Sequence, residues 1–194
     1  MVRRRRMVRD FIDTPIATET IERILATALR APSAGFSQGW SFLALTDVAD
    51  RARFWPFVPA RVEGSPAIQR APLVVVPLAN KNVYLDRYAE KDKGWLDREE
   101  ARWPVPYWYI DTGMAALLIL LSAIDEGLDG CFFGIQPEFT EPFRQEFGVP
   151  EEYAPIGGIA VGYRSPDLAP QGDSVAQRRK SIEQVVHRGQ WDRH

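Results

Sequence analysis

Two basic clusters stand near opposite ends of the chain: Arg3, Arg4, Arg5, Arg6 and Arg9 at the start, and Arg178, Arg179 and Lys180 near the end. A guanidinium is planar, permanently charged and forked, and its donors match phosphate oxygens in shape as well as sign. If folding brings the two ends together, they form a phosphate site. The plainer alternative is a solubilising terminus and a solvated helix start, since exposed arginines are common and their pairs contribute little. Side-chain catalysis of a familiar kind has little to work with. Cys131 is the only cysteine, and it sits between Gly130 and Phe132 in a strand-like run. That setting suits a small buried apolar residue better than a nucleophile. The histidines are His187 and His194, neither with a motif around it. The lack of a Cys–His cluster argues against a structural zinc site. Glu99–Glu100 and Glu151–Glu152 are adjacent pairs, and neighbouring carboxylates do not face each other across a substrate. Gly157–Gly158 lacks the spacing of a dinucleotide fingerprint and has no helix expected after it.

This poverty points to a borrowed reagent. A cofactor that carries its own redox chemistry asks the protein only for binding, orientation and polarity. The 6 Trp, 6 Tyr and 10 Phe would line a stacking pocket, or simply fill a core. At 194 residues, 45% hydrophobic and 26% charged, the chain suits one domain with a core of its own, residues 1–194. A formal net charge of −2 argues against a nucleic-acid partner. No apolar run follows the opening arginines, so a signal peptide does not fit. The longest apolar stretch, 113–124, is too short to span a bilayer and reads as a buried helix. These features imply a soluble, cytoplasmic protein with no membrane partner. One cysteine fits a reducing compartment.

The elements that must position any site follow from period and punctuation. Thr18 is the expected N-cap of a helix to about Arg30, with Ile21, Ile24, Leu25 and Ala28 on one face. Pro32 disfavours helix at Ala31. Residues 32–40 form a loop of small and polar residues with two aromatics. Strands are expected at 41–46, 73–78, 130–135 and 156–163, with Pro77 ending the second or placing it at an edge. Residues 48–54 read as helix, and 55–66 as loop with at most a short helix. The aromatic stretch 80–106 reads as an insertion or lid with a short helix. Residues 107–126 are the strongest helix, closed by Gly127. A helix so apolar must be buried on more than one side, which a chain this small achieves by dimerising around it. Thr140 is the expected cap of a helix to Phe147, ended by Gly148 and Pro150. The tail from Arg164 is polar, with Ile182, Val185 and Val186 as anchor points.

Four segments, in order along nearly the whole chain, resemble the nitroreductase family of FMN enzymes. Arg5-Arg6-Met7-Val8-Arg9-Asp10-Phe11 is similar to the family's opening basic motif. The resemblance implies that Arg5 and Arg9 contact the flavin phosphate and ribityl chain, with Arg6 at a position that is basic or imidazole in relatives. Met7 stands where serine is usual, so a hydroxyl contact is lost and a backbone contact remains. Ala31-Pro32-Ser33-Ala34-Gly35-Phe36-Ser37-Gln38-Gly39-Trp40 is similar to the family's proline–serine loop, and this match is the most specific. It implies a loop beside the flavin that uses Pro32, Ser33, Ala34 and Ser37 and reaches the other site of a dimer. Phe36 and Gly39 depart from the common asparagine and proline.

Gly127-Leu128-Asp129-Gly130-Cys131-Phe132-Phe133-Gly134-Ile135 resembles the segment that passes the isoalloxazine. The resemblance implies that the Gly134 backbone amide donates to flavin N5. Phe133 occupies a position that is glutamate in some members. Residues 156–163 followed by Arg178-Arg179-Lys180 resemble the closing strand and late basic motif, with Arg179 the better match to the late phosphate contact and Arg178 the second.

The likeness implies an α+β fold, a mostly antiparallel sheet flanked by helices, in an intertwined homodimer with FMN at the interface. It implies hydride transfer from NADH or NADPH to a small-molecule acceptor such as a nitroaromatic or quinone, in ping-pong fashion. Some members dehalogenate, dehydrogenate or use a deazaflavin. A non-enzymatic flavin-binding or storage module is the alternative from another class.

Overall fold

The computed structural model describes residues 2–167 and 178–193. Its sheet comprises β1 (Trp40–Leu45), β2 (Leu73–Asn80), β3 (Asp129–Phe133), β4 (Tyr153–Pro155) and β5 (Gly158–Gly162). The spatial order is β1-β2-β5-β3, with β4 beside the far end of β2, and every pairing between these strands is antiparallel. All of β2 is buried. Leu73 and Val75 face one side and Val74, Val76 and Leu78 the other, the alternation of a pleated strand covered on both faces.

Pro77 neither ends β2 nor puts it at an edge, contrary to expectation. Leu78 faces Pro155 while Val75 faces Ile159, so three steps along β2 are matched by four on the facing chain. That extra residue is a bulge at Gly157–Gly158, between β4 and β5. The Pro77 carbonyl accepts from the Ile156 N–H at 3.0 Å. The missing proline N–H therefore faces the interrupted part of the ladder, where its absence costs least. Gly157 has φ +150°, and a Cβ there would sit 2.5 Å from the Phe133 carbonyl oxygen, so the bulge requires glycine. The strand expected at 156–163 holds β5 alone, and the short β4 before it has no expected counterpart.

Helices cover both faces. On one side, α1 (Thr18–Ala28) buries Ile21, Ile24 and Ala28 in the cluster that also holds Ala115, Ala116, Ile119 and Leu120 of the long central helix described below. Ala17 rather than Thr18 occupies its cap, with the Thr20 and Ile21 N–H groups both reaching the Ala17 carbonyl. On the other side lie α2 (Val48–Phe54), which Asp47 caps by accepting from the Ala49 N–H at 2.7 Å, and the short α3 (Pro59–Gly64). Next in sequence is α4 (Lys81–Ala89), capped by Asn80 through the Asn82 N–H. The long central helix is α5 (Tyr107–Asp125), and the last is α6 (Pro137–Phe147). The α6 helix starts before the expected Thr140 cap, because Pro137 takes the first helical position, where its missing N–H costs nothing. Phe54, Trp55, Phe133 and Phe143 make the aromatic centre of this second face. Truncating one such fully buried ring would cost about 3–5 kcal/mol.

By length and composition α5 could cross a membrane, but half of its most apolar window is buried inside the fold, so it is a core helix. Trp108, Asp111, Ala115, Ile119 and Ala123 face inward. The opposite side leaves Ile110 and Leu117 43% and 47% exposed, a stripe that one chain does not cover. At the sheet's other margin the opening segment lies along β3: Met7 bridges Gly130 in parallel, and the Val8 N–H reaches the Gly130 carbonyl at 3.1 Å.

Candidate functional site

That pairing brings the first and third resembling segments side by side. The Met7 side chain turns inward, and its Sδ accepts from the Phe132 N–H at 3.5 Å. Arg5 and Arg9 flank it, both half-buried, whereas Arg6 is exposed. Arg9 donates through Nη1 to the Met7 carbonyl at 3.2 Å. Its Nε, like Nη1 of Arg5, is buried with no hydrogen-bond partner. Arg61 of α3 also has a buried, unpartnered Nε. Burial pushes the Cys131 thiol up, and Arg9 and Arg61 pull it partly back down. Both arginines therefore stand within electrostatic reach of the same buried strand position. Each orphaned donor costs about 1–3 kcal/mol unless something accepts from it. Oxygens carrying negative charge are what these donors lack. Arg61 escaped the sequence reading because it lies in an irregular proline-rich stretch with no periodic pattern around it.

Gly134 follows the end of β3. It is exposed, and a Cβ built on it would meet nothing within 4 Å. Packing in this chain does not require a glycine there. Its N–H makes no hydrogen bond among the described residues, so a donor is free at that point. Phe133 differs: its ring is buried, 6.2 Å from Phe54 and stacked 6.3 Å from Trp55. Only the Phe133 backbone remains for a ligand.

The proline–serine loop is held from several directions. Gly35, Phe36 and Gln38 have φ of +61°, +56° and +55°. For the two non-glycine residues the left-handed region costs about 1–2 kcal/mol each. Such strain persists only where surroundings impose it. Here the Ala34 N–H donates to Asp111 Oδ2 at 2.8 Å, and the Arg87 Nε–H to the Gly35 carbonyl at 3.1 Å. The Gly39 carbonyl accepts from the Asn80 N–H at 2.7 Å. Tyr84 lies against Gly39, where a Cβ would come within 2.5 Å of its ring. Both serine hydroxyls act inside the loop: Ser37 donates to the Ala34 carbonyl, and Ser33 accepts from the Gln38 N–H. Ser37 has therefore spent its hydrogen locally and can only accept further. Pro32 precedes the loop, and Phe36 stands 73% exposed at its tip.

Arg178 and Arg179 lie exposed in a turn that follows the closing strand at a distance in the chain. The structure thus pairs the opening motif with the β3 segment. A cavity of about 330 Å³ lined by Lys81, Asn82, Trp108, Tyr109 and Glu151, among others, includes none of the residues singled out by resemblance.

The family model for the nitroreductase family matches residues 2–163, most of the chain. The chain belongs to the nitroreductase family. It is 28% identical over 165 residues to a candidate NADH dehydrogenase/NAD(P)H nitroreductase of Archaeoglobus fulgidus, covering 84% of this chain and 83% of that one. It is 26% identical over 188 residues to an oxygen-insensitive NADPH nitroreductase of Salmonella typhimurium, covering 96% and 71%. Among solved structures, a candidate nitroreductase of Exiguobacterium sibiricum in complex with FMN shares the fold with a TM-score of 0.72 at 20% identity, covering 95% and 93%. The family's α+β architecture, a mostly antiparallel sheet flanked by helices, is the one described above.

Proposed function

We propose that this chain is an FMN-dependent oxidoreductase that takes electrons from NADH or NADPH and passes them to a small acceptor, a nitroaromatic, quinone or related compound. The observation that carries the reading is the set of buried, unpartnered guanidinium nitrogens of Arg5, Arg9 and Arg61 beside β3. They suit a phosphorylated, ring-bearing cofactor. FMN, when bound, supplies the acceptance and release of hydride that no side chain here can provide. Arg5 and Arg9, with Arg179 or Arg178 from the late cluster, hold its phosphate side. Gly134 offers a free backbone N–H, and preorganised amides stabilise negative charge as it develops. Pro32, Ser33, Ala34 and Ser37 border the ring, while Arg6, Met7 and Phe133 contribute through position and backbone. Reduced nicotinamide and acceptor occupy the same place in turn, which gives ping-pong kinetics. The exposed α5 stripe supports a cytoplasmic homodimer that completes the site. The named relatives and the FMN-bound neighbour agree with this chemistry.

The test is the absorbance spectrum of the purified protein, followed by steady-state oxidation of NADH and NADPH with a quinone. Bound FMN, turnover and parallel double-reciprocal lines support the reading. A colourless protein that cannot be reconstituted with FMN overturns it, and bound FMN without turnover marks a storage module.

A further inference from the structure

Asp111 is a carboxylate in the second turn of a largely apolar helix, and it is 2% exposed. Among the described residues no lysine or arginine pairs with it. Both of its hydrogen bonds fall on Oδ2, from the Ala34 N–H at 2.8 Å and the Tyr84 O–H at 2.9 Å. Burial, then the hydrogen bond and charge of Asp111, push the Tyr84 hydroxyl far above its ordinary value, so it stays a donor. A buried charge without a counter-cation persists only where its donors are fixed. Here the donors belong to two pieces of chain, α4 and the 33–39 loop, that carry no regular pairing with α5. The same loop holds the non-glycine residues with positive φ, Phe36 and Gln38. Tyr88 sits against Gly35 and Tyr84 against Gly39, so each ring of α4 fills a place that a Cβ would occupy.

We infer that Asp111 is a positioning residue of the cofactor site. Its carboxylate ties the Ala34 amide and the Tyr84 hydroxyl into one clamp, and the clamp keeps the strained 33–39 loop in the shape that borders the flavin. This rests on the flavin reading given above. Asp111 touches no ligand in this role. It acts through Ala34, and Tyr84 aligns its carboxylate.

The experiment compares Asp111→Asn, Asp111→Ala and Tyr84→Phe with the parent. Two quantities are read: FMN affinity by fluorescence titration of the apoprotein, and amide hydrogen exchange of Ala34 in the absence of flavin, set against a core amide such as that of Ile119. An asparagine oxygen can still accept from both donors. D111N should therefore stay within about threefold of the parent in both quantities. D111A should lose about tenfold or more in FMN affinity, and its Ala34 amide should exchange at least about tenfold faster while Ile119 is unmoved. Y84F, which keeps the ring against Gly39, should fall between them. Should D111A fail to fold, Y84F and D111N carry the comparison. Parent-like FMN affinity in Y84F, or an equal loss in D111N and D111A, overturns the assignment. A parent that binds FMN beside a D111A of unchanged affinity and unchanged Ala34 exchange overturns it alone. A parent that does not bind FMN overturns the flavin reading and this assignment with it.

Discussion

Replacing Arg61 with methionine should move stability and cofactor affinity in opposite directions. Methionine keeps an apolar stem of similar reach, so the packing of the arginine's methylenes is largely retained. What disappears is the guanidinium, whose Nε is buried without a partner. In the apoprotein that donor is a liability of about 1–3 kcal/mol, and the half-exposed position of Arg61 puts it toward the lower end. The R61M apoprotein should therefore be as stable as the parent or slightly more so. For a chain of this size, a gain of 1 kcal/mol raises the melting temperature by about 2–4 °C. Cofactor binding changes the sign. A charge-assisted hydrogen bond contributes about 1.5–3 kcal/mol, so FMN affinity should fall by about 10- to 150-fold. Thermal melts of the apoprotein and fluorescence titration with FMN give the two numbers independently. Arg3→Met, at an exposed position, is the control for diffuse attraction and should leave affinity within about threefold. Arg179→Met should match the R61M loss if the late basic cluster joins the site. An R61M protein that melts lower and binds FMN as the parent does would make Arg61 a structural residue and refute the argument. An R3M loss equal to that of R61M would refute it differently, by showing that net positive charge alone attracts the cofactor.

Three further outcomes are expected. Gly134→Val should leave the unfolding free energy within about 0.5 kcal/mol of the parent, because nothing lies within 4 Å of the new Cβ, yet flavin reduction by reduced nicotinamide in stopped flow should slow at least about tenfold. Cys131→Ala should keep reduction within about tenfold, since loss of a general acid or base usually costs 10²–10⁴. The same variant should change the alkaline limb of stability. The folded thiol is pushed up by burial, so its contribution is complete below about pH 9, its ordinary value, and is lost as pH rises through the folded value; C131A should flatten that fall in pH-dependent denaturation. Leu117→Glu, on the 47% exposed position of α5, should turn a dimer into monomer by sedimentation velocity, and a parent that is already a stable folded monomer at micromolar concentration would remove the dimer from the proposal.

Elements with strong local patterns were legible in the sequence, and those set by long-range fit were not. The α5 helix announces itself by a long apolar run and by Gly127, whose φ of +78° ends it. The α2 bounds follow directly from Asp47 and the residues after it. Strand β2 was cut short at Pro77 because the rule for proline assumes an uninterrupted ladder, and the bulge opposite is visible only once β4 and β5 are paired. The opening motif and Gly134 carried recognisable residues. Arg61 carried none, since its value depends on where α3 lands. Asp111 did carry a signal: a carboxylate inside a largely apolar helix must be paired somewhere once packing buries it. Its partner Ala34 lies 77 residues earlier, beyond any local pattern.

Not every orphaned buried donor points to a ligand, and the differences among them locate the site. Arg51 is 7% exposed with an unpartnered Nε, yet its Nη1 bonds the Thr46 and Pro72 carbonyls and ties the α2 start to the β2 start. Arg144 leaves its Nε free but pairs with Glu141 at 2.9 Å. The Trp103 N–H lies among the rings of Tyr84, Tyr88, Trp95, Tyr107 and Trp108, all within 6.1 Å, where π faces can receive it. Arg9 keeps one bond, to its neighbour Met7. Arg5 and Arg61 have no side-chain hydrogen bond or ion pair at all among the described residues, although each has a buried nitrogen. Each is only half-buried, so the rest of the guanidinium keeps some solvent, but the buried nitrogen has no partner to offset its desolvation. Departures from local consistency concentrate where a structure does its work. On the flavin reading proposed above, an anion would complete this uncompensated charge beside β3.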